Sequence, residues 1–333
     1  MREAAASVVA GSLGSFKPSP EELRFLSKEA IPGLVLFKRN INQESYLSLK
    51  TDIIHAVHKA RQDRALIISV DQEGGRVSRL GPSFPNKGSP LRLSVDLEPD
   101  EQVKELRDYG ARVAESLLEI GINVNFAPVV DVLTNPLNIS IGDRAFSLNP
   151  QDVIRRAGAF LEGMQQTGLV GCLKHFPGMG GELVDPHFDK VVIKNPESLL
   201  LKRELQPYIE LLPHAKMIMI SHCIYTEIDH KPASLSELVI TELLKKQLGY
   251  NGLIVTDDMN MKAIKQDVTS WKKAIIETIA AGAHLVLVCS QLENWIHAID
   301  ALEEEAKKST IFSNILFNAA QKVGTFRKNL KSL

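Results

Sequence analysis

Around residue 174 the chain reads KHFPGMGGELVDPHFD. It sets Lys174, His175, Glu182, Asp185, His187 and Asp189 on a segment broken by Pro177, Pro186 and three glycines. That punctuation excludes a regular helix, and loops carry binding and catalytic groups more often than packing groups. Asp185 and His187 flank Pro186, and the residue before a proline is pushed towards extended geometry. Positions i and i+2 of an extended segment share a side, so Asp185 can reach the His187 imidazole. A carboxylate on one ring nitrogen fixes the tautomer and leaves the other nitrogen for proton transfer. The bland alternative is a surface Asx-type turn with an idle histidine.

Other groups carry comparable chemistry. DQEGGRVSR (71–79) offers Asp71 and Glu73 as acids, bases or hydroxyl acceptors, with Arg76 and Arg79 as anion binders or ion-pair partners. Asp71, nearer the end of the preceding apolar run, is the better ligand. Asp131, Asn135 and the pair Asp143–Arg144 form another group, in which Arg144 reads either as a loop-bracing ion pair or as a substrate clamp. A desolvated Lys174 can form a Schiff base. A lysine beside a histidine and several acids is instead expected to stay charged and donate hydrogen bonds. Asp257 and Asp258 are adjacent, so in a strand one faces inward and the other supports the shell; capping of a helix at MNMKAI is the alternative. No HExxH pattern is present and the cysteine spacing fits no zinc motif, so no metal is indicated. There is no P-loop, and no GxGxxG follows the first strand, so no nucleotide cofactor is indicated.

The elements that must position these groups follow a rhythm. GLVLF (33–37), ALIISV (65–70), INVNFAPVV (122–130), GLVGCL (168–173), KMIMIS (216–221), GLIVT (252–256) and AHLVLV (283–288) are short apolar runs. Each ends in polar residues, His222 among them. Helical spacing marks 44–61, 100–120, 236–248 and 270–282, the last opening with Ser270 as a cap. Continuous Val/Ile/Leu strands alternating with helices indicate a parallel sheet covered on both faces. Seven such strands predict an α/β fold of the (β/α)₈ barrel type, with an irregular or missing strand; VVI (191–193) is the candidate for the eighth. Polar residues gathered at strand C-termini sit on the face where such barrels hold their active sites.

Composition narrows the class. The 333 residues are 44% hydrophobic and 24% charged, with 39 basic and 40 acidic side chains and a net charge of −1. This is a core-forming globular composition without the basic stripe that nucleic-acid binding needs. Cys172, Cys223 and Cys289 lie in apolar runs and read as buried, reduced thiols. The N-terminus lacks the apolar core of a signal peptide. No apolar run approaches the ~20 residues that span a bilayer, so the cytoplasm is the expected location.

VDQEGGR (70–76), IGDRAF (141–146), KHFPG (174–178), the D-x-H at 185–187 and VTDDM (255–259) together resemble the family 3 glycoside hydrolases. The similarity is greatest to the single-domain bacterial β-N-acetylglucosaminidase branch of cell-wall recycling. Order and spacing match from about Gly33 to Ser290. The resemblance implies one catalytic barrel over residues 1–333 and a retaining, exo-acting hydrolysis without a cofactor. Its substrates would be N-acetylglucosamine-containing muropeptides or sugars. It implies Asp257 as nucleophile and His187 as acid/base, paired with Asp185. Asp71, Arg79, Arg144, Lys174, His175 and, more weakly, His222 would contact the sugar. Two departures stand out: Met179 replaces a histidine of the family's KHFPGHG pattern, and Pro186 replaces the serine of its D-S-H. A Schiff-base enzyme using Lys174 and a sugar-binding protein without catalysis remain as rivals.

Overall fold

The computed structural model describes residues 1–42, 46–48, 53–61, 66–181, 191–193, 200–265 and 267–330. In chain order its strands are β1 (Val9–Gly11), β2 (Gly33–Leu36), β3 (Ile67–Val70), β4 (Val124–Asn125), β5 (Val170–Phe176), β6 (Val192–Ile193), β7 (Met217–Ile220), β8 (Ile224–Tyr225), β9 (Leu253–Asp258) and β10 (Leu285–Val288). Eight of them close into a parallel barrel in the order β1-β10-β9-β7-β5-β4-β3-β2. No barrel strand is missing.

The eighth strand is β1, not the segment 191–193. Val9 and Ala10 pair with Val286 and Leu287 of β10, and Gly11 pairs with both Val288 and Leu34 of β2, which closes the ring. A Cβ on Gly11 would lie 2.0 Å from the Trp295 indole. This position therefore requires glycine, and the glycine disguises the strand in the sequence. Val192 and Ile193 do form a strand, but it pairs with β8 outside the barrel.

The barrel interior is packed, not hollow. Val35, Ile67, Val124, Phe126, Cys172, Met217, Met219, Leu253, Val255, Leu285 and Leu287 point inward and bury one another. Val323, Phe326 and Leu330, in and just beyond the last helix (Thr310–Lys328), seal the N-terminal end of the barrel. The alternate strand residues, among them Leu34, Leu36, Ile68, Val70, Ile218, Ile220 and Ile254, face the surrounding helices in the larger core. This two-faced burial is why the strands read as unbroken apolar runs.

The helices follow the same logic. Pro99–Glu119 buries Leu106, Tyr109, Val113 and Leu117, one face at helical spacing. Pro150–Gln166 packs beside it, capped by the Asn149 side chain. The region expected at 236–248 is a π-type helix over Leu238–Gln247. Val268–Ala280 is capped by Asp267, whose carboxylate accepts from the Thr269 and Ser270 amides; Ser270 itself lies inside the helix. Of the helix expected over 44–61, the described part is helical at His55–Arg61. Among the described residues no helix is long and apolar enough to cross a membrane.

Candidate active site

A cavity of about 280 Å³ opens at the C-terminal ends of the strands. Val35, Phe126, Met219 and Leu287 form its floor, above the packed interior, so the cavity is blind. Its polar wall comes from Asp71, Glu73, Arg79, Arg144, Lys174 and His175, with Asp257 and Asp258 on another side.

The wall is built around Glu73. Its carboxylate is 3% exposed and lies between two cations. Arg144 approaches it bidentately, Nε to Oε2 at 2.8 Å and Nη2 to Oε1 at 2.9 Å. Lys174 Nζ lies 2.5 Å from Oε1 and donates to Asp71 Oδ1 at 2.7 Å. Burial alone would raise the Glu73 carboxyl. The Arg144 and Lys174 charges and hydrogen bonds outweigh it and hold the group well below the usual carboxylate range. For Lys174, burial lowers the ammonium, but Asp71 and Glu73 outweigh it and the net shift is upward. A lysine held protonated in this way cannot attack a carbonyl, which removes the basis of the Schiff-base reading.

This arrangement makes Glu73 the buried anchor of the wall. Asp71 is the more exposed carboxylate; its Oδ2 lies 3.8 Å from Arg79 Nη2. Arg79 and Arg39 both stand over the Phe37 ring, at 5.9 and 4.7 Å from its centroid. Arg76 also lines the cavity, but its guanidinium is engaged by the loop over residues 139–143. It pairs with Asp143 and donates to the carbonyls of Ile139, Ser140 and Ile141. Arg144 braces the same loop as well, through its ion pair with Glu73 and an Nη1 donation to the Ser140 carbonyl at 3.0 Å, while it also lines the cavity.

Glu73→Gln is expected to destabilise the fold by about 3 kcal/mol, the scale for breaking a buried ion pair and leaving its cations uncompensated. Denaturant midpoints at neutral pH would measure this. Because the folded-state value is depressed, the carboxylate stabilises at pH above its unfolded value and loses that effect as pH falls below it. The gap between wild type and variant should therefore close on acidification. A gap independent of pH would show that the charge is not what holds the wall together.

Lys174 and His175 both lie near the end of β5, and their connecting peptide is cis. The His175 ring is fixed by Asp131, whose Oδ2 lies 2.7 Å from Nδ1. Asp131 is fully buried and also accepts from the His175 and Met179 amides. The other ring nitrogen, Nε2, lies 3.4 Å from Arg144 Nη2. Asp131 is therefore the positioning group of this corner. The sequence marked it as a strand-end acid without a partner.

Asp257 and Asp258 end β9. Asp258 Oδ1 is held by the Asn260 amide, the Asn260 side chain and the Cys289 amide, at 3.1, 2.9 and 3.0 Å. Burial raises its carboxyl despite those donors. Asp257 Oδ1 accepts the Asp258 amide at 2.8 Å. One carboxylate thus ties β9 to β10 while its neighbour faces the cavity, and residues 259–265 form turns instead of a helix. Cys289 also lines the cavity, but burial and then Asp258 push its thiol well above the ordinary value, so it is no nucleophile here.

His222 departs from its expected role as a sugar contact. It is 1% exposed and does not line the cavity. Ser234 Oγ lies 2.7 Å from its Nδ1, and its Nε2 is 3.1 Å from the Asp258 carbonyl. The ring supports the end of β9 from behind. Met179 is likewise buried, with its amide on Asp131 and its carbonyl accepting from Asn138. A Cβ on the next residue, Gly180, would lie 1.7 Å from the Val132 carbonyl, so the loop leaves the barrel along a tightly fixed stem. Asp185, Pro186 and His187 lie outside the described residues. Among the described residues no group of histidine, cysteine and acidic side chains could hold a metal ion.

The chain matches a family model described as the glycosyl hydrolase family 3 N terminal domain over residues 6–326. A beta-hexosaminidase of Actinobacillus pleuropneumoniae serotype 5b (strain L20) is 33% identical over 294 residues, 87% of this chain and 83% of its own length. A family 3 β-N-acetylglucosaminidase from Paenibacillus sp. str. FPU-7 superposes with a TM-score of 0.86 at 26% identity. That alignment covers 99% of this chain but only 63% of the Paenibacillus chain. NagZ from Neisseria gonorrhoeae, solved in complex with N-trifluoroacetyl-D-glucosamine, gives a TM-score of 0.80 at 27% identity over 98% of this chain and 90% of that one.

Proposed function

The chain belongs to family 3 of the glycosyl hydrolases, and from that premise we propose that it is a retaining, exo-acting β-N-acetylglucosaminidase. It would remove terminal N-acetylglucosamine from peptidoglycan fragments in the cytoplasm, with residues 1–333 acting as one catalytic domain. The observation that carries this reading is the blind cavity, walled by Asp71, Arg144, Lys174 and His175 and flanked by Asp257. A blind pocket admits the end of a sugar chain and not its middle. The named relatives, a beta-hexosaminidase and β-N-acetylglucosaminidases, support the choice of sugar.

In this mechanism Asp257 attacks the anomeric carbon while an acid protonates the departing oxygen. The same group then deprotonates the water that releases the sugar. His187, oriented by Asp185, takes that role, since an imidazole titrating near ~6.5 can give and take a proton at neutral pH. Asp71 and His175 Nε2 accept sugar hydroxyls, while Lys174, Arg144 and Arg79 donate to ring substituents. Glu73 keeps the two cations fixed, so their geometry is set before substrate arrives.

Hydrolysis of an aryl β-N-acetylglucosaminide against the matching aryl β-glucoside tests the proposal. A site built to hydrogen-bond the acetamido group should favour the first by about 100-fold or more in kcat/KM. Equal rates would point to a β-glycosidase of other specificity. Binding of N-acetylglucosamine without turnover of either substrate would leave a sugar-binding protein.

A further inference from the structure

At the end of the barrel opposite the catalytic mouth, a second cleft of about 460 Å³ lies at the N-terminal ends of β9 and β10. The helix Leu238–Gln247 and the last helix, Thr310–Lys328, form its sides. Lys245 enters from one helix, Lys322 from the other, and His284 from the turn before β10. Lys322 donates to the Asn251 carbonyl. Among the described residues neither ammonium forms an ion pair with a carboxylate; Glu237 lies exposed at the rim.

The electrostatics are those of a partly buried basic cluster. Burial and then the Lys322 charge pull the Lys245 ammonium down to about 8. Burial and then both lysines push His284 down to about 3, so its ring is neutral. The Ile254 amide donates to His284 Nδ1 at 3.0 Å. The ring proton therefore sits on Nε2, and the histidine is a donor as well. Two positively charged side chains and a neutral imidazole with an N–H thus line one cleft from three separate elements. Like charges at such a site cost free energy unless an anion sits among them.

We propose that this cleft binds a phosphate dianion, either inorganic phosphate or the phosphate end of a small monoester, through Lys245, Lys322 and His284 Nε2–H. Lysine serves phosphate as a point charge without needing planar geometry. The cleft has room beyond the anion, and Glu237 at the rim suits a hydroxyl of an attached sugar-like group. The site is remote from Asp257 and independent of the proposed hydrolysis.

The test uses the whole chain, titrated by calorimetry at constant ionic strength with inorganic phosphate, glucose 6-phosphate and glucose. Both phosphates should bind and raise the melting temperature, and glucose should not. Tighter binding of glucose 6-phosphate assigns the cleft to monoesters; equal affinity assigns it to inorganic phosphate. Lys245→Met and Lys322→Met should each weaken phosphate binding about tenfold or more, the scale of one hydrogen bond to a charged group. Without phosphate, Lys245→Met should melt no lower than wild type, because it removes a repelled charge. Circular dichroism of the variants checks that they fold. Absence of saturable phosphate binding would overturn the proposal. So would binding that survives in the Lys245→Met/Lys322→Met double variant, since the anion would then sit elsewhere, as against Lys174 and Arg144.

Discussion

Asp257→Ala is expected to lose at least about 10⁴-fold in kcat on every glycoside while keeping its fold. Removing the covalent nucleophile of a serine protease costs on the order of 10⁶, with residual rate from binding and electrostatics. The same logic holds for the proposed site, in which Asp71, Lys174 and Arg144 would still grip the sugar. Asp257 faces the cavity, and its Oδ1 accepts the neighbouring Asp258 amide. Asp258 keeps its links to Asn260 and Cys289 without it, so β9 should stay in place and the melting temperature should change little. With a nitrophenyl substrate, added azide can fill the vacated space and should yield the α-azide, the inverted product. Asp258→Asn provides the contrast. It disturbs a structural junction and should lower stability, with a smaller loss of rate and no azide rescue. If Asp258→Asn proves inactive with azide rescue and Asp257→Ala stays active, the attacking carboxylate has been misassigned between the two neighbours.

That pair shows how far local sequence reaches. Adjacent carboxylates at a strand end must face opposite ways, so a division of labour was legible from TDD alone; which one faces the cavity depends on β10. Continuous runs such as LIISV and LIVT announced themselves as strands because both of their faces are buried. Val9–Gly11 did not, because three residues ending in a glycine give no period, and its identity as a barrel strand lies in β10 and β2. Val192–Ile193 had the local character of a strand but pairs with Ile224–Tyr225 outside the ring. Asp267 took the cap expected of Ser270 because a cap is set by where the chain enters the helix.

The polar wall has the same dependence on distance along the chain. Asp71, Arg144 and Lys174 were visible as strand-end or loop polar groups. The ion-pair order was not, since Glu73 meets Arg144 across 71 residues. His222 ends an apolar run just as His175 does. One ring supports β9 and the other faces the cavity, a difference made by Ser234 in one case and Asp131 in the other. Thus the type of chemistry could be read locally, whereas the assignment of anchor and support needed the closed barrel.

The barrel wall offers a carboxylate–imidazole pair, Asp131–His175, and the proposed mechanism uses a second, Asp185–His187. Loss of His187 should separate their roles. General acid–base catalysis contributes ~10²–10⁴-fold, so His187→Ala should lose about that much on sugar leaving groups, which need a proton to depart. A nitrophenyl group departs without one. On that substrate the variant should still form the glycosyl-enzyme on Asp257 and then stall, giving a burst followed by slow turnover. Azide needs no base, so it should restore turnover and give the β-azide, with configuration retained. The stereochemistry is the opposite of that expected for Asp257→Ala, so the two azide products together define both roles. His175→Ala should behave differently. Its ring sits between Asp131 and Arg144 in the substrate wall, so its loss should raise KM and perturb stability, with no azide effect and no dependence on leaving group. If His187→Ala matches wild type on natural sugars while His175→Ala shows the burst and the rescue, the acid is the imidazole at the end of β5. The Asp185–His187 segment would then serve binding alone.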